Sequence, residues 1–323
     1  MKLADPKLPT SLGPSDRGPR FSAKPPSIRR GARLLAVLAL AALFAAWPQA
    51  RQQTGLGNTV AEGVALYQLN DPALLSPPGP IAVQLLKLDP KRVTLALALA
   101  GDRSPALETV VEMANRREAL AAVNAGFFVV STGAPAGLLK VGGRVLGATE
   151  RQRGAVGIQP ASGGRPLRLV FDQVAVTRHP RKPDVFTFRP RLGSSPKDWA
   201  RARDVVGGAG LLRRGGRSLR PVEWVPERLR DGFTTERHPR TMIGADRSGA
   251  IWLITVDGRN PLISLGMTFL ELQRLAERVG LRDALNLDGG GSTTMVVRGQ
   301  VVNHPSDPTG PRRVSDGILV FPR

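Results

Sequence analysis

The 323-residue chain has no cysteine. That excludes disulfides, thiolate-bound metals and a cysteine nucleophile, and it means that export would need no oxidative folding. Histidine is nearly as scarce. His179, His238 and His304 are the only three, and no two stand at a helical metal-ligand spacing, so a histidine-rich zinc site is not expected. With one tyrosine and four tryptophans, there are few rings for bases to stack on. No groove-reading or base-stacking motif is present either. Acidic residues number 26 against 46 lysines and arginines, which leaves a formal charge of +20.

That charge is unevenly placed. Residues 1–33 hold eight Lys/Arg and two Asp, a net +6, and residues 178–240 hold sixteen Lys/Arg and seven Asp/Glu, a net +9. The first stretch is a tail and the second lies inside the folded region. Such charge suits nucleic acid, but Arg-rich surfaces equally suit anionic glycans, phosphorylated polymers and membrane headgroups. Apolar content is ordinary for a folded protein, and the length allows one large core or two modest ones.

Residues 1–33 are rich in Pro, Ser, Gly and Arg without periodicity and read as a disordered basic tail. An uncharged stretch, 34–50, follows Arg29, Arg30 and Arg33. Its fully apolar part, Leu34 to Ala46, spans about 20 Å as a helix against roughly 30 Å of hydrocarbon. It reads as a signal anchor, extended by Trp47 and Pro48, or as a signal peptide. Either way the basic flank stays in the cytoplasm and the rest lies outside the membrane. Residues 51–60 read as a linker.

From 61 to 323 the pattern is that of a single domain. Val64–Leu69, Ile81–Leu88, Val93–Ala100 and Ala121–Val123 read as strands. Ser104-Pro105 reads as the start of a helix that runs to about Arg117. Gly142-Gly143 centres a hairpin from Gly137 to Gly147, and short strands are expected near 154–158, 167–170 and 172–177. The Arg-rich stretch near 178–236 reads as an insertion, with a long loop over 178–203. Val205–Leu212 and Arg217–Leu219 read as a hairpin. Thr241–Ala245, Ile251–Val256 and Gly317–Phe321 are strands. Thr268 to Val279 is a helix with a capping box, Thr268 with Glu271, a hydrophobic staple, Met267 with Leu272, and Gly280 as its stop. The expected class is α+β, a mixed β-sheet assembly with a few packed helices and a site at the strand ends.

The stretch that organises the rest is Asn286-Leu287-Asp288-Gly289-Gly290-Gly291-Ser292. An apolar strand delivers one carboxylate into three glycines, which let a ligand approach the backbone and offer their N–H groups as an anion nest. There is no P-loop ending and no Gly-x-Ser-x-Gly elbow. Asp257 likewise ends an apolar strand and precedes Gly. If the two strands belong to one sheet, both carboxylates share a rim. Arg240, Arg259 and Arg312 flank strands and are candidates to hold phosphate. Asn124, with Gly126 and Phe127, offers an amide and a ring to a sugar. Asp283, Asp288 and Asp307 show no recognisable cation-loop spacing, so no metal and no cofactor are expected.

Taken together, Arg240-Thr241-Met242-Ile243-Gly244, Asp257-Gly258-Arg259, Gly266-Met267-Thr268, the 286–292 block, Pro305-Ser306-Asp307, Arg312-Arg313-Val314-Ser315 and Asn124-Ala125-Gly126-Phe127-Phe128 resemble the phosphodiester glycosidase domain family. The resemblance covers roughly 80–323 and is dense after 238. It implies a hydrolase that cleaves sugar-1-phosphate diesters in the cell envelope and frees the sugar. It places Asp288 as nucleophile or general base, Asp257 on water or sugar hydroxyls, and Arg240 and Arg312 on the phosphate. Asn124, Gly126, Arg259, Gly289, Gly290, Gly291, Ser292 and Asp307 would line the substrate. The expected partners are a phosphorylated glycan or sugar-1-phosphate diester, and a bacterial membrane through residues 34–50, with no nucleic acid. The alternative is a non-catalytic, periplasmic or membrane-held binder of anionic envelope polysaccharide or exopolysaccharide.

Overall fold

The computed structural model describes residues 57–323. The basic tail and the apolar 34–50 stretch lie outside the described residues. Among those described, no helix is long and apolar enough to cross a membrane. The first strand, Asn58–Ala61, occupies the end of the stretch expected to be linker.

The domain is mostly β with few helices. An eight-stranded sheet has the order β1 (Asn58–Ala61), β2 (Val64–Leu69), β3 (Val83–Leu88), β16 (Ile251–Val256), β15 (Arg240–Asp246), β17 (Leu281–Asn286), β13 (Leu211–Arg214), β14 (Arg217–Ser218). A six-stranded sheet runs β11 (Lys182–Pro190), β10 (Arg168–His179), β9 (Arg153–Gln159), β12 (Asp204–Gly207), β7 (Leu139–Val141), β8 (Arg144–Gly147). A five-stranded sheet runs β19 (Gln300–Val301), β18 (Met295–Val297), β6 (Ala121–Asn124), β21 (Asp316–Pro322), β4 (Val93–Leu99), and β5 (Glu108–Thr109) pairs with β20 (Arg313–Val314). The strand pairs of the described residues are antiparallel, so the assembly is not the mixed one expected. One apolar core joins the three large sheets: Leu85, Ile243 and Leu285 from the first, Val156 and Val206 from the second, Val123 and Ile318 from the third, all essentially inaccessible to water.

Three α-helices of the described residues pack on this frame: α1 (Val110–Arg116), α2 (Pro196–Arg201) and α3 (Phe269–Arg278). α3 begins as the sequence implies. The Thr268 hydroxyl accepts from the Glu271 N–H, and the Glu271 carboxylate accepts from the Thr268 N–H. Glu271 also receives Arg237 at 2.6 Å and the Ser76 N–H at 2.9 Å, so its role is structural. Phe269, Leu272, Leu275 and Ala276 bury one face. Thr268→Ala is expected to lower stability by about 1 kcal/mol, read as a fall of a few degrees in melting temperature.

Three expectations are corrected. The helix expected from Ser104 starts instead after Thr109, which has a complete capping box with Glu112; Ser104 has Leu107 at the matching position and no reciprocal partner. The Arg-rich 178–203 stretch is not a loop. β11 hairpins onto β10, and α2 follows, capped by Ser195 and Asp198. Its prolines mislead because β11 is an edge strand, where the missing N–H costs nothing. The 205–219 segment is not one hairpin either. β12 belongs to the six-stranded sheet, while β13 and β14 extend the eight-stranded one.

Candidate active site

Antiparallel pairing fixes the rim. On β15, Arg240 lies opposite Val256, and Met242 lies opposite Asn286. β16 and β17 therefore run in the same direction on either side of β15. Asp257 and Asp288, the residues just past their ends, emerge on one edge with Arg240 between them. The shared rim expected from the sequence is present, with one strand interposed.

Asp288 is held from behind. Its N–H donates to the Ala125 carbonyl (2.9 Å), and its own carbonyl accepts Asn124 Nδ2 (2.7 Å). Its carboxylate accepts the Gly289 N–H at 2.9 Å. Burial first, and the Asp316 charge to a lesser extent, push its pKa up to about 7 against the opposing pull of Ser292, the Gly289 N–H and Arg312. A carboxyl that titrates near neutrality suits proton transfer or nucleophilic attack.

The triglycine is a tightly overlaid loop more than an open nest. The Gly289 N–H is taken by Asp288 and the Gly290 N–H by the Pro239 carbonyl (2.9 Å), which leaves the Gly291 N–H without a partner within the described residues. Gly290 has φ +61, the left-handed region, and a Cβ there would lie 2.9 Å from Arg259 Nη2. At Gly291 a Cβ would collide with Asp307 Oδ1 at 2.1 Å and Arg312 Nη2 at 2.3 Å. Asp307 and Arg312 form a bidentate pair, Nε to Oδ2 at 2.7 Å and Nη2 to Oδ1 at 3.0 Å. Two guanidinium groups, from Arg259 and Arg312, thus lie directly over the loop that carries Asp288.

Other expected residues point elsewhere. Asn124 is 1% exposed, and its Oδ1 accepts the Thr241 hydroxyl (2.7 Å) and the Thr294 N–H (3.2 Å). With Nδ2 on Asp288, it ties β6, β15 and the loop together and has no free polar atom for a sugar. Arg240 is equally buried. Nε donates to the Met267 carbonyl (2.8 Å) and Nη2 to the carbonyls of Phe233 (2.8 Å) and Glu236 (3.0 Å). The guanidinium lies 5.0 Å from the ring centres of both Phe233 and Phe269. No carboxylate within the described residues pairs with it, and burial pushes its pKa down to about 9. It brings a fixed positive field to the rim, and no hydrogen bond within the described residues engages its Nη1. The neighbouring His238 registers that field: burial first, then Arg240 and Arg259, lower its pKa. Asp257 is 2% exposed and accepts Asn303 Nδ2 (2.9 Å), the His304 N–H (3.0 Å) and His304 Nδ1 (3.1 Å). It anchors the 303–304 turn, and burial raises its pKa.

Three residues escape the sequence reading. Asp316 is fully buried, accepts the Gly126 N–H at 2.7 Å and the Ser315 hydroxyl, and has its pKa raised by burial. Gly126 thus serves the site through its N–H. Asp316-Gly317 is the same dipeptide as Asp257-Gly258 and Asp288-Gly289, but it opens a strand instead of closing one. Arg153, at the start of β9, lies 5.9 Å from the Phe127 ring, with its pKa lowered by burial. His304 stands beside Asp257 with most of its side chain in water.

Comparison with known proteins gives the family and the fold. The family model described as phosphodiester glycosidase matches residues 117–321, more than half of the chain. The bovine (Bos taurus) N-acetylglucosamine-1-phosphodiester alpha-N-acetylglucosaminidase is 29% identical over 225 residues, covering 66% of this chain and 38% of that protein. The chain therefore spans less than two fifths of that relative's length. Among solved structures, the catalytic domain of the zebrafish enzyme of the same name, auto-inhibited by its pro-peptide, aligns with a TM-score of 0.62 at 20% identity, covering 84% of this chain and 87% of that one. A Burkholderia pseudomallei protein described as a candidate exported protein aligns at 0.59 and 21% identity, covering 76% and 75%. At these identities the two structures bear on the fold alone.

Proposed function

Because the chain belongs to the phosphodiester glycosidase family, we propose that it is a hydrolase that cleaves the glycosidic bond of sugar-1-phosphate diesters. Water adds at the anomeric carbon, the bond from that carbon to the phosphate oxygen breaks, and a phosphomonoester leaves with the aglycone. The observation that carries this reading is Asp288, a carboxyl titrating near 7, set under two guanidinium groups. A phosphate leaving group is a weak base, so little general-acid help is needed. What the reaction needs is a carboxylate at the anomeric centre and a cationic clamp on the departing charge. We assign the first to Asp288 and the second to Arg259 and Arg312, assisted by the Gly291 N–H and the field of Arg240. Asp316 keeps Asp288 basic through like-charge repulsion. Asn124, Gly126 and Asp257 position the groups that do the chemistry.

The test follows release of reducing sugar and phosphomonoester by NMR across a panel of sugar-1-phosphate diesters. Turnover with a single anomer as first product supports the reading. Retention makes Asp288 the nucleophile and inversion makes it the base. Silence across the panel from a folded protein would sink it in favour of a glycan-binding role. Asp288 acts ionised, so activity should increase with pH. Log kcat/KM is expected to climb with unit slope below about pH 7 and to level above it, measured on a diester that does not itself titrate in that range. A profile that falls through 7 would make Asp288 the acid instead.

We place the domain outside the cytoplasm, in the cell envelope. The basic flank before residues 34–50 supports this orientation.

A further inference from the structure

A large cleft of the described residues lies away from this rim. It has a volume of about 1510 Å³ and lies where β15 ends and β16 begins, beside the β3 end, the β9–β10 turn and α2. Arg240 and Asp246 stand at opposite ends of β15. Six steps at about 3.3 Å put the cleft on the order of 20 Å from Asp288.

Its charge is net positive, with seven Lys and Arg against four Asp in the lining. Four carboxylates line it, and each is already engaged. Asp89 accepts the Lys91 N–H in a turn. Asp198 closes the α2 capping box. Asp246 accepts Ser248, the Ala250 N–H and Trp252 Nε1. Asp283 accepts Arg214 and the Gly215 N–H. Against them stand Lys87, Lys91, Arg165, Arg168, Arg201 and Arg247. Within the described residues none of these six forms an ion pair, although fifteen such pairs occur in the domain. Arg282 also lines it, 3.8 Å from Asp283. Concave walls with a net excess of one sign of charge concentrate an oppositely charged ligand.

We propose that this cleft is a second binding site, for a segment of an anionic polymer of sugar or polyol units joined by phosphodiesters. Several dispersed cations suit charges repeated along a chain better than one compact anion, and the volume exceeds the 300–1,000 Å³ typical of a small-molecule pocket. The lining contains no Phe, Tyr or Trp. Single-stranded nucleic acid sites draw on the order of 1–3 kcal/mol per base from aromatic stacking, and this cleft has none to give. Binding here is independent of turnover at Asp288, so the two readings stand or fall separately.

The test measures binding of fluorescent poly(glycerol phosphate) to the full chain by anisotropy at several salt concentrations, against a variant carrying R168Q, R201Q and R247Q. All three arginines are exposed and none belongs to the Asp288 rim. The variant is expected to bind at least about tenfold more weakly. Its log K against log salt should flatten by about 0.7 for each lost contact. Turnover of a small diester should not change. Oligothymidylate with the same number of phosphates is expected to bind no more tightly than the polyol polymer. An unchanged affinity and salt slope would overturn the site. Tenfold tighter binding of the oligothymidylate would overturn the ligand class in favour of nucleic acid.

Discussion

Asp288→Asn is expected to abolish sugar release, by on the order of 10³-fold in kcat, and at the same time to make the protein more stable at alkaline pH. In the folded chain this carboxyl keeps its proton up to about pH 7, whereas an unfolded aspartate loses it near 3.9. Between those values the folded state binds more protons than the unfolded one, so stability falls as pH rises. Above 7 the whole cost is present. Three pH units would correspond to about 4 kcal/mol. The side chain is only half-buried by accessible surface, so we expect asparagine to recover about 1–3 kcal/mol at pH 8 and nearly nothing at pH 4. The amide oxygen still accepts the Gly289 N–H, so the loop keeps its shape. Thermal melts of the two proteins at pH 4, 6 and 8 read the effect as a melting-temperature difference that opens with pH. Retained turnover, or a variant less stable than its parent at pH 8, would remove Asp288 from the centre of the site.

Such a carboxylate was visible in the sequence because the signal is local. An apolar strand, an aspartate and a glycine are contiguous, and the same reading located Asp257. The capping boxes at Thr268 and at Thr109 are also four-residue signals, and the Ser104 error came from accepting half of one. What lay beyond reach was pairing at a distance. Asn124 reads as a ligand-facing amide until its partners are known, and they are Thr241, Asp288 and Thr294, 117 to 170 residues away. Arg240 reads in the sequence as a strand-flanking arginine for phosphate. Its three carbonyl acceptors come from segments that a one-dimensional pattern cannot bring together. Asp316 carries no such local signal, because it opens a strand instead of ending one, and the antiparallel β21 brings its first residue to the Gly126 N–H.

The Arg-rich stretch shows the opposite failure, since charge and proline concealed a scaffold. Its centre is Glu227, fully buried in the 3-10 turn Pro221–Glu227. One carboxylate oxygen accepts the N–H groups of Gly154 (3.0 Å) and Gly210 (2.8 Å). The other accepts the Leu211 N–H (3.1 Å) and Gln173 Nε2 (2.8 Å). Four donors from β9, β10 and the approach to β13 converge on one side chain, and this holds the six-stranded sheet against the eight-stranded one behind the rim. Asp288, by contrast, receives a single backbone donor on its carboxylate, so burial costs it stability while Glu227 contributes it. Glu227→Ala strands four buried donors and is expected to cost about 3–5 kcal/mol, a large part of the 5–15 kcal/mol typical of a domain. That corresponds to a loss of roughly 10 °C or more in melting temperature. Glu227→Gln keeps one oxygen but turns an amide NH₂ towards two donors, so it should fall between the two. Below its own melting temperature the alanine variant should keep the acid limb of the parent's pH profile, because Asp288 is untouched. Denaturant titration of the three proteins measures the order Glu, Gln, Ala. A loss under 1 kcal/mol for alanine would show that the sheets are held by their apolar faces alone. A shifted acid limb would show that Glu227 acts on the Asp288 charge and not through the fold.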